Sequence, residues 1–566
     1  MSARTVHDRH TVEVELDVPA EMRDGTILRA NVYRPSGAGP WPTLLVRTAY
    51  GKDSQGVVGL LDPVQAARAG FLVVVQDVRG RFCSGGHFVA FRYERQDGYD
   101  SVEWAAQLPG SNGGVGMYGE SYLGNTQLAA AIGRPPSLRA IAPALTWCDP
   151  MDGMFARGGA LELGLALRWS LLEGVPELLR TSSSDKERYQ RLASLIDEFD
   201  RITVGAYREL PVEPSAALER HGVPDLGGFG AVRDDRVPAW STIKGRHADI
   251  QVPCLYTGGW YDVFLQGTLD NYTSTVSAGG EATLVVGPWS HTEFGERVGD
   301  LRFGLKAARY GLPTDESGNV ADRQLAWLRR HVEDPPVRGA AGTPAPVRIF
   351  VMGRNEWRTE ETWPPARAAA ERWYLTAKAT LAPHALTLAE GSVTFVYDPD
   401  DPVPTLGGST EMSSPFPPGP KDQREIEARP DVLTFTSEPV EAELEVTGRI
   451  RAVLHCRSSA PSTDWVVRLC DVYPDGRSIN ICDGILRVLD DAQEVGRHEI
   501  DLWSTSIVFL PGHRLRVQVT SSSFPRWDRN LGTGRQDRMD RRSAEQTIYL
   551  DPERPSFIEL PVVPPS

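Results

Sequence analysis

The stretch Gly113-Gly114-Val115-Gly116-Met117-Tyr118-Gly119-Glu120-Ser121-Tyr122-Leu123-Gly124 decides how the rest of the chain is read. A short apolar run ends at Gly119, one residue precedes Ser121, and helical residues follow through Leu128, Ala129, Ala130 and Ala131. The pattern predicts a strand, a sharp turn and a helix, with the Ser121 side chain lifted clear of a sheet. Glycines flank such a turn because a Cβ there would meet the neighbouring strand or helix. The usual G-x-S-x-G spacing is only partly met, since Leu123 stands where the second glycine belongs and Gly124 follows it. Alone, the stretch also fits a Gly-rich turn with a serine helix cap. A nucleophile at this elbow needs a base and an acid from elsewhere in the chain.

Upstream, residues 11–35 alternate apolar and polar around Asp24-Gly25-Thr26, which predicts a β-hairpin. Leu44-Leu45-Val46 and Phe71-Leu72-Val73-Val74-Val75 are continuous apolar runs separated by a helix from Pro63 that glycine closes at Gly70. Buried parallel strands with crossover helices have this pattern. It continues through a helix from Asp97 to Leu108 and the elbow to Ala140-Ile141-Ala142-Pro143. From Trp147 the rhythm breaks into two helical stretches, Leu161 to Leu179 and Asp185 to Tyr207, then Gly- and Pro-rich loops to about Ile250. An insertion at this point emerges above the strand ends as a cap, or is a structural excursion. The sheet resumes with Val252 to Thr257, which leads into Gly258-Gly259-Trp260-Tyr261-Asp262, and with Ala282 to Val286, which leads into Gly287-Pro288-Trp289-Ser290-His291. An acid and a histidine thus follow two successive strands, in the serine, acid, histidine order of an α/β-hydrolase.

The organisation expected is a hydrolase domain in two parts, 1–146 and 251–335, a helical cap over 147–250, and an all-β domain over 346–566. A Pro/Gly/Ala linker, Asp334 to Pro346, joins them, and the strand Val347 to Met352 opens the β part. Short alternating strands predict a β-sandwich of the jelly-roll type that packs on the hydrolase and completes its wall or a homodimer. A competing reading makes this domain a carbohydrate binder, with Trp465, Trp503 and Trp527 stacking on sugars.

The 566 residues are 41% hydrophobic and carry a net charge of −15, which argues against general nucleic-acid binding. No apolar run approaches the ~20 residues that cross a bilayer. The opening ten residues lack the apolar core of a secretory signal, and six scattered cysteines lack C-x-x-C spacing, so reduced thiols and a cytoplasmic location are expected. No metal-ligand spacing occurs, and neither metal nor cofactor is expected.

Ser121 is expected as nucleophile, His291 as general base and Asp262 as the acid that fixes its tautomer. The Tyr122 backbone N–H and the Tyr50 hydroxyl, from the loop Arg47-Thr48-Ala49-Tyr50-Gly51-Lys52, are expected to form the oxyanion hole. A neutral His291 implies activity rising through an apparent pKa of roughly 6–7.

The elbow, the Tyr50 loop, the loop Asp77-Val78-Arg79-Gly80-Arg81-Phe82-Cys83-Ser84-Gly85-Gly86, Gly258 to Asp262 and Gly287 to His291 together resemble the CocE/NonD hydrolases. That group is related to X-Pro dipeptidyl-peptidases, α-amino-acid ester hydrolases and cephalosporin acylases. The resemblance covers nearly the whole chain and implies the same five site residues, with hydrolysis of a small-molecule ester or amide. Peptidase, β-lactam acylase and acyltransferase chemistry stay open, because they use the same triad. The α-amino-acid ester hydrolases carry a Glu-Asp pair shortly after the triad aspartate, where Val263-Phe264-Leu265 stands here. An uncharged acyl group is therefore expected, unless Glu162, Glu173 or Glu177 of the cap lines the pocket.

Overall fold

Leu72-Val73-Val74-Val75 has no polar face, and the structure shows why. In the computed structural model Leu72 and Val74 point into one core cluster while Val73 and Val75 point into another. A strand buried on both faces cannot alternate. The residues described are 10–54, 61–309, 319–333, 346–384, 391–412, 415–534 and 539–564.

The first sheet has strands β1 (Val12–Glu21), β2 (Ile27–Pro35), β3 (Trp41–Thr48), β4 (Leu72–Asp77), β5 (Ser111–Glu120), β6 (Leu138–Ala144), β7 (Cys254–Tyr261), β8 (Ala282–Ser290), β9 (Val347–Val351) and β10 (Glu356–Glu360). Their order is β1-β2-β4-β3-β5-β6-β7-β8-β9-β10. The centre is parallel, and the hairpins β1-β2 and β9-β10 are antiparallel. Helices α1 (Pro63–Arg68), α2 (Glu94–Ala106) and α3 (Tyr122–Gly133) fill the first crossovers. The carboxyl ends of β5, β6, β7 and β8 therefore lie in a row along one edge of the sheet, where open α/β sheets bind their ligands.

Between β6 and β7 the cap carries α4 (Leu163–Thr181) and α5 (Asp185–Asp200), packed on a cluster that includes Leu167, Leu171, Leu195 and Ile202. Helix α5 stops at Asp200, short of the expected Tyr207, and a 3-10 turn follows over Ala206–Arg208. After β7 and β8 come α6 (Leu265–Ser277) and α7 (Val320–Val332), α7 starting on an Asn319–Asp322 capping box.

The C-terminal part holds two antiparallel sheets around one core, with a central strand Leu444–Ser458 in the first and Thr463–Val472 in the second. Leu454, Val467, Leu469, Leu502 and Val517 are fully buried between them.

Two expectations need correction. The strand at Val347 belongs to the hydrolase sheet, since Val347, Arg348 and Ile349 pair in parallel with Leu284, Val285 and Val286 of β8. A short apolar run cannot reveal which sheet it joins. The linker before it lies outside the described residues, apart from Pro346. Trp465, Trp503 and Trp527 are at most 2% exposed, so none offers a face to a sugar. Trp503 and Trp527 instead bond Asp152 and Glu162 of the cap region. No helix among the described residues is long and apolar enough to cross a membrane.

Candidate active site

Ser121 sits between β5 and α3 with φ 57° and ψ −123°, a conformation costly for a residue with a side chain. Its N–H donates to the carbonyls of Ala144 (3.0 Å) and Leu145 (3.2 Å), and the Thr146 hydroxyl donates to its carbonyl at 2.9 Å. These bonds hold the strained turn against β6. A Cβ on Gly119 would stand 2.6 Å from Leu123 Cβ, and one on Gly124 2.8 Å from Thr146 Cβ and 2.9 Å from the Ala144 carbonyl. Position 124, one residue later than usual, is thus where α3 passes closest to the end of β6, and Leu123 is free to be a core residue.

Asp262 follows β7 directly and is fully buried. One carboxylate oxygen accepts the Phe264 N–H at 3.0 Å, and the other lies 2.6 Å from His291 Nδ1. His291 follows β8, with the Phe264 ring against its imidazole edge to face, centroids 5.2 Å apart. With Nδ1 held by Asp262, Nε2 is the nitrogen turned to the cavity.

Tyr50 lies just beyond β3, its N–H bonded to Thr48 Oγ1 at 2.9 Å. Its hydroxyl shares hydrogen bonds with Trp169 and Ser121, and burial, with Glu173 and Glu411 nearby, holds its pKa above the ordinary phenol value. An indole N–H can only donate, so Trp169 does not compete for the proton of the Tyr50 hydroxyl. Tyr122 opens α3, where the first backbone N–H groups have no intrahelical acceptor. Its side chain faces away, donating to Glu94 at 2.7 Å. The structure thus brings all five expected residues to one place. Tyr50, Ser121 and His291 line a cavity of about 400 Å³ roofed by Leu165, Trp169 and Leu172 of α4. A smaller cavity of about 120 Å³, lined by Tyr261, Asp471 and His513, lies at the seam with the β domain and does not include Ser121.

Residues 24–293 match the X-Pro dipeptidyl-peptidase (S15 family), and residues 339–559 match the X-Pro dipeptidyl-peptidase C-terminal non-catalytic domain. Cocaine esterase of Rhodococcus sp. (strain MB1 Bresler) is 37% identical over 97% of this chain and 98% of its own. The chain belongs to the CocE/NonD hydrolases of the S15 family. Two solved structures share the fold at 24% identity. An α-amino acid ester hydrolase has a TM-score of 0.79 over 99% of this chain and 98% of its own. An aminopeptidase from a marine sediment Thaumarchaeota archaeon has 0.80 over 100% and 98%.

Within this CocE/NonD site, three carboxylates line the cavity that sequence reading did not place there or left open: Glu120, Glu173 and Glu411. Each has an arginine. Glu120 lies 3.5 Å from Arg309, Glu173 is bound by Arg81, and Glu411 accepts from Arg168 at 2.9 Å. Glu162 is buried against Trp527 and Glu177 pairs with Arg180, so of the three cap glutamates considered only Glu173 reaches the pocket. Burial, outweighing Arg81 and Arg168, raises Glu173 to about 7. The expectation of an uncharged acyl group rested on a pocket without carboxylates, and this pocket has them, paired.

Glu411 comes from the β domain, and its Oε2 stands 3.5 Å from His291 Nε2. Burial favours neutral His291, but Glu411, Asp262 and Glu120 together outweigh it and raise the imidazole to about 9. The range of 6–7 expected from sequence is the ordinary histidine range, taken without the carboxylates that face this ring. No local motif marks Glu411. Its signal is the glycine pair Gly407-Gly408, both with positive φ, whose Gly408 exchanges backbone bonds with Gly419. Gly164 adds to it, since a Cβ there would stand 2.1 Å from Met412 Sδ. No group of three or more metal-ligating side chains occurs among the described residues.

Proposed function

We propose that the protein hydrolyses a carboxylic ester of a small molecule through an acyl-enzyme on Ser121. The observation that carries this reading is the 2.6 Å Asp262–His291 contact beside a strained serine whose side chain meets the Tyr50 hydroxyl. The Ser121 Oγ–H proton passes to His291 Nε2 as Oγ bonds the ester carbon, and Asp262 steadies the imidazolium. Negative charge then grows on the carbonyl oxygen, where the Tyr50 O–H and Tyr122 N–H stabilise it. Collapse breaks the bond to the alcohol as His291 Nε2 returns the proton to the departing oxygen, and water repeats the sequence to release the acid and restore Ser121.

The relationship to cocaine esterase supports ester over X-Pro peptide substrates. An exposed Cys83 and five buried unpaired cysteines fit a reducing compartment, and we place the enzyme in the cytoplasm. Homodimer formation, β-lactam acylation and acyl transfer gain no specific support from the site.

A fluorophosphonate should label Ser121 stoichiometrically, and Ser121→Ala should lose turnover of p-nitrophenyl esters. Labelling at another serine, or undiminished turnover in the variant, overturns the assignment. X-Pro-p-nitroanilides and acylated β-lactams tested alongside define the substrate class.

A further inference from the structure

A serine hydrolase histidine does two jobs with one nitrogen. Nε2 takes the serine proton as a base, then returns it to the leaving group as an acid. A group that stabilises the imidazolium helps the first step and hinders the second. Here such a group touches Nε2 itself.

Glu411 Oε2 stands 3.5 Å from Nε2, while its Oε1 accepts from Arg168 Nη1 at 2.9 Å. The carboxylate is delivered by the β domain and held from two sides. The Gly408–Gly419 backbone pair anchors the base of its loop, and Arg168 of α4 grips its head. The other charged neighbours of His291 are Asp262 on Nδ1 and Glu120 next to Ser121. Glu120 is offset by Arg309, and Phe264 closes the remaining edge of the ring. Asp262 belongs to the triad in any case, so Glu411 is the added charge on the nitrogen that moves the proton.

Building on the ester-hydrolase reading, we propose that Glu411 is a specificity-determining positioning residue, acting through His291 Nε2 to favour esters with good leaving groups over amides. A phenolate or other stable alkoxide departs with the electron pair of the broken C–O bond and needs no proton at that moment. The Nε2 proton then goes to solvent. An amide nitrogen must receive the Nε2 proton as the C–N bond breaks, so it depends on how readily the imidazolium gives that proton up. Glu411 holds it back. The raised titration of His291 is the form this restraint takes in the resting enzyme.

The test compares a p-nitrophenyl ester with the p-nitroanilide of the same acyl group across pH, in wild type, Glu411→Gln and Glu411→Asp. Both substrates form the same acyl-enzyme and differ only in the acylation step, so the ratio of their plateau kcat/KM values reports leaving-group expulsion without deacylation. In wild type the acid limb of kcat/KM should fall near pH 9, the value to which His291 is raised. In Glu411→Gln it should move down by about 1–3 units, the effect of one carboxylate at this range. The anilide-to-ester ratio should rise roughly tenfold, as expected for an acid ~2 units stronger at a Brønsted coefficient near one half. Glu411→Asp keeps the charge and should retain most of the wild-type behaviour. A wild-type limb near ~6.5, the ordinary histidine value, overturns the proposal without any variant. So does a limb or ratio that Glu411→Gln leaves unmoved. Should Glu411→Gln fail to fold, the wild-type limb and Glu411→Asp decide. If Ser121→Ala still turns over the ester, it is the hydrolase reading that fails.

Discussion

Negative charge near an oxyanion hole works against the reaction it serves, and Tyr50, which we propose as one of its donors, has Glu173 and Glu411 for neighbours. The arrangement is tolerable because a phenol held protonated by burial remains a donor at any working pH, and because Trp169, itself only a donor, does not compete for its proton. Tyr50→Phe removes that donor while keeping the ring that packs edge to face with Tyr122, centroids 6.1 Å apart. We expect kcat to fall by about 10²–10³, or ~3 kcal/mol, with an unchanged near-ultraviolet circular dichroism spectrum. A fall of only a few-fold would exclude Tyr50 as the donor. The placement of such residues is legible because chain order puts them at strand ends: Ser121, Asp262, His291 and Tyr50 each follow an apolar strand. That of Trp169 and Glu411 is not, because nothing in a helix or a loop of the β domain states which cavity it will face. The surroundings of the histidine are hidden for the same reason, since Glu411 is a carboxylate that tertiary structure alone brings near.

At the scale of elements, the parallel strands declared themselves by continuous apolar runs between glycine-closed helices, and the hairpin β1-β2 by alternation around Asp24-Gly25. Sheet membership did not, as β9 shows. Its Val347, Ile349 and Phe350 are fully buried, a pattern equally suited to a sandwich. The elbow is where local geometry is tightest. Gly124 lets the first turn of α3 pass the Ala144 carbonyl, against which Ser121 is also hydrogen bonded. Gly124→Ala must push α3 away from β6, and overpacking of this kind costs about 1–3 kcal/mol. Because the same contact sets the Ser121 backbone, the variant should lose fluorophosphonate reactivity at temperatures where it is still folded. Stability lost with labelling rates intact would show that the elbow survives without this close approach.

Over the whole molecule, the cap and the β domain are joined through buried charge. Asp483 accepts from Arg526 at 2.7 Å, and Arg157 and Arg468 lie 3.7 and 3.5 Å from it. Arg157 stacks over Trp503 at 3.7 Å and Arg526 over Trp527 at 4.3 Å, while Trp527 donates to Glu162 at the start of α4. This seam fixes the β domain against the cap, and with it the loop that carries Glu411. Asp483→Asn leaves three buried guanidinium groups short of a counter-charge, and breaking such a cluster costs about 3–5 kcal/mol. Against the penalty of burial, Arg526, Arg468 and Arg157 lower the Asp483 pKa. Its contribution is therefore present above the ordinary carboxylate range and is lost as pH falls through the depressed folded value. Urea unfolding followed by tryptophan fluorescence should show the full wild-type advantage over Asp483→Asn at pH 7, and a smaller one in acid. Buried pairs are screened little, so added salt should leave the gap largely unchanged. A difference below about 1 kcal/mol at pH 7, the range of an exposed pair, would mean that water reaches the seam.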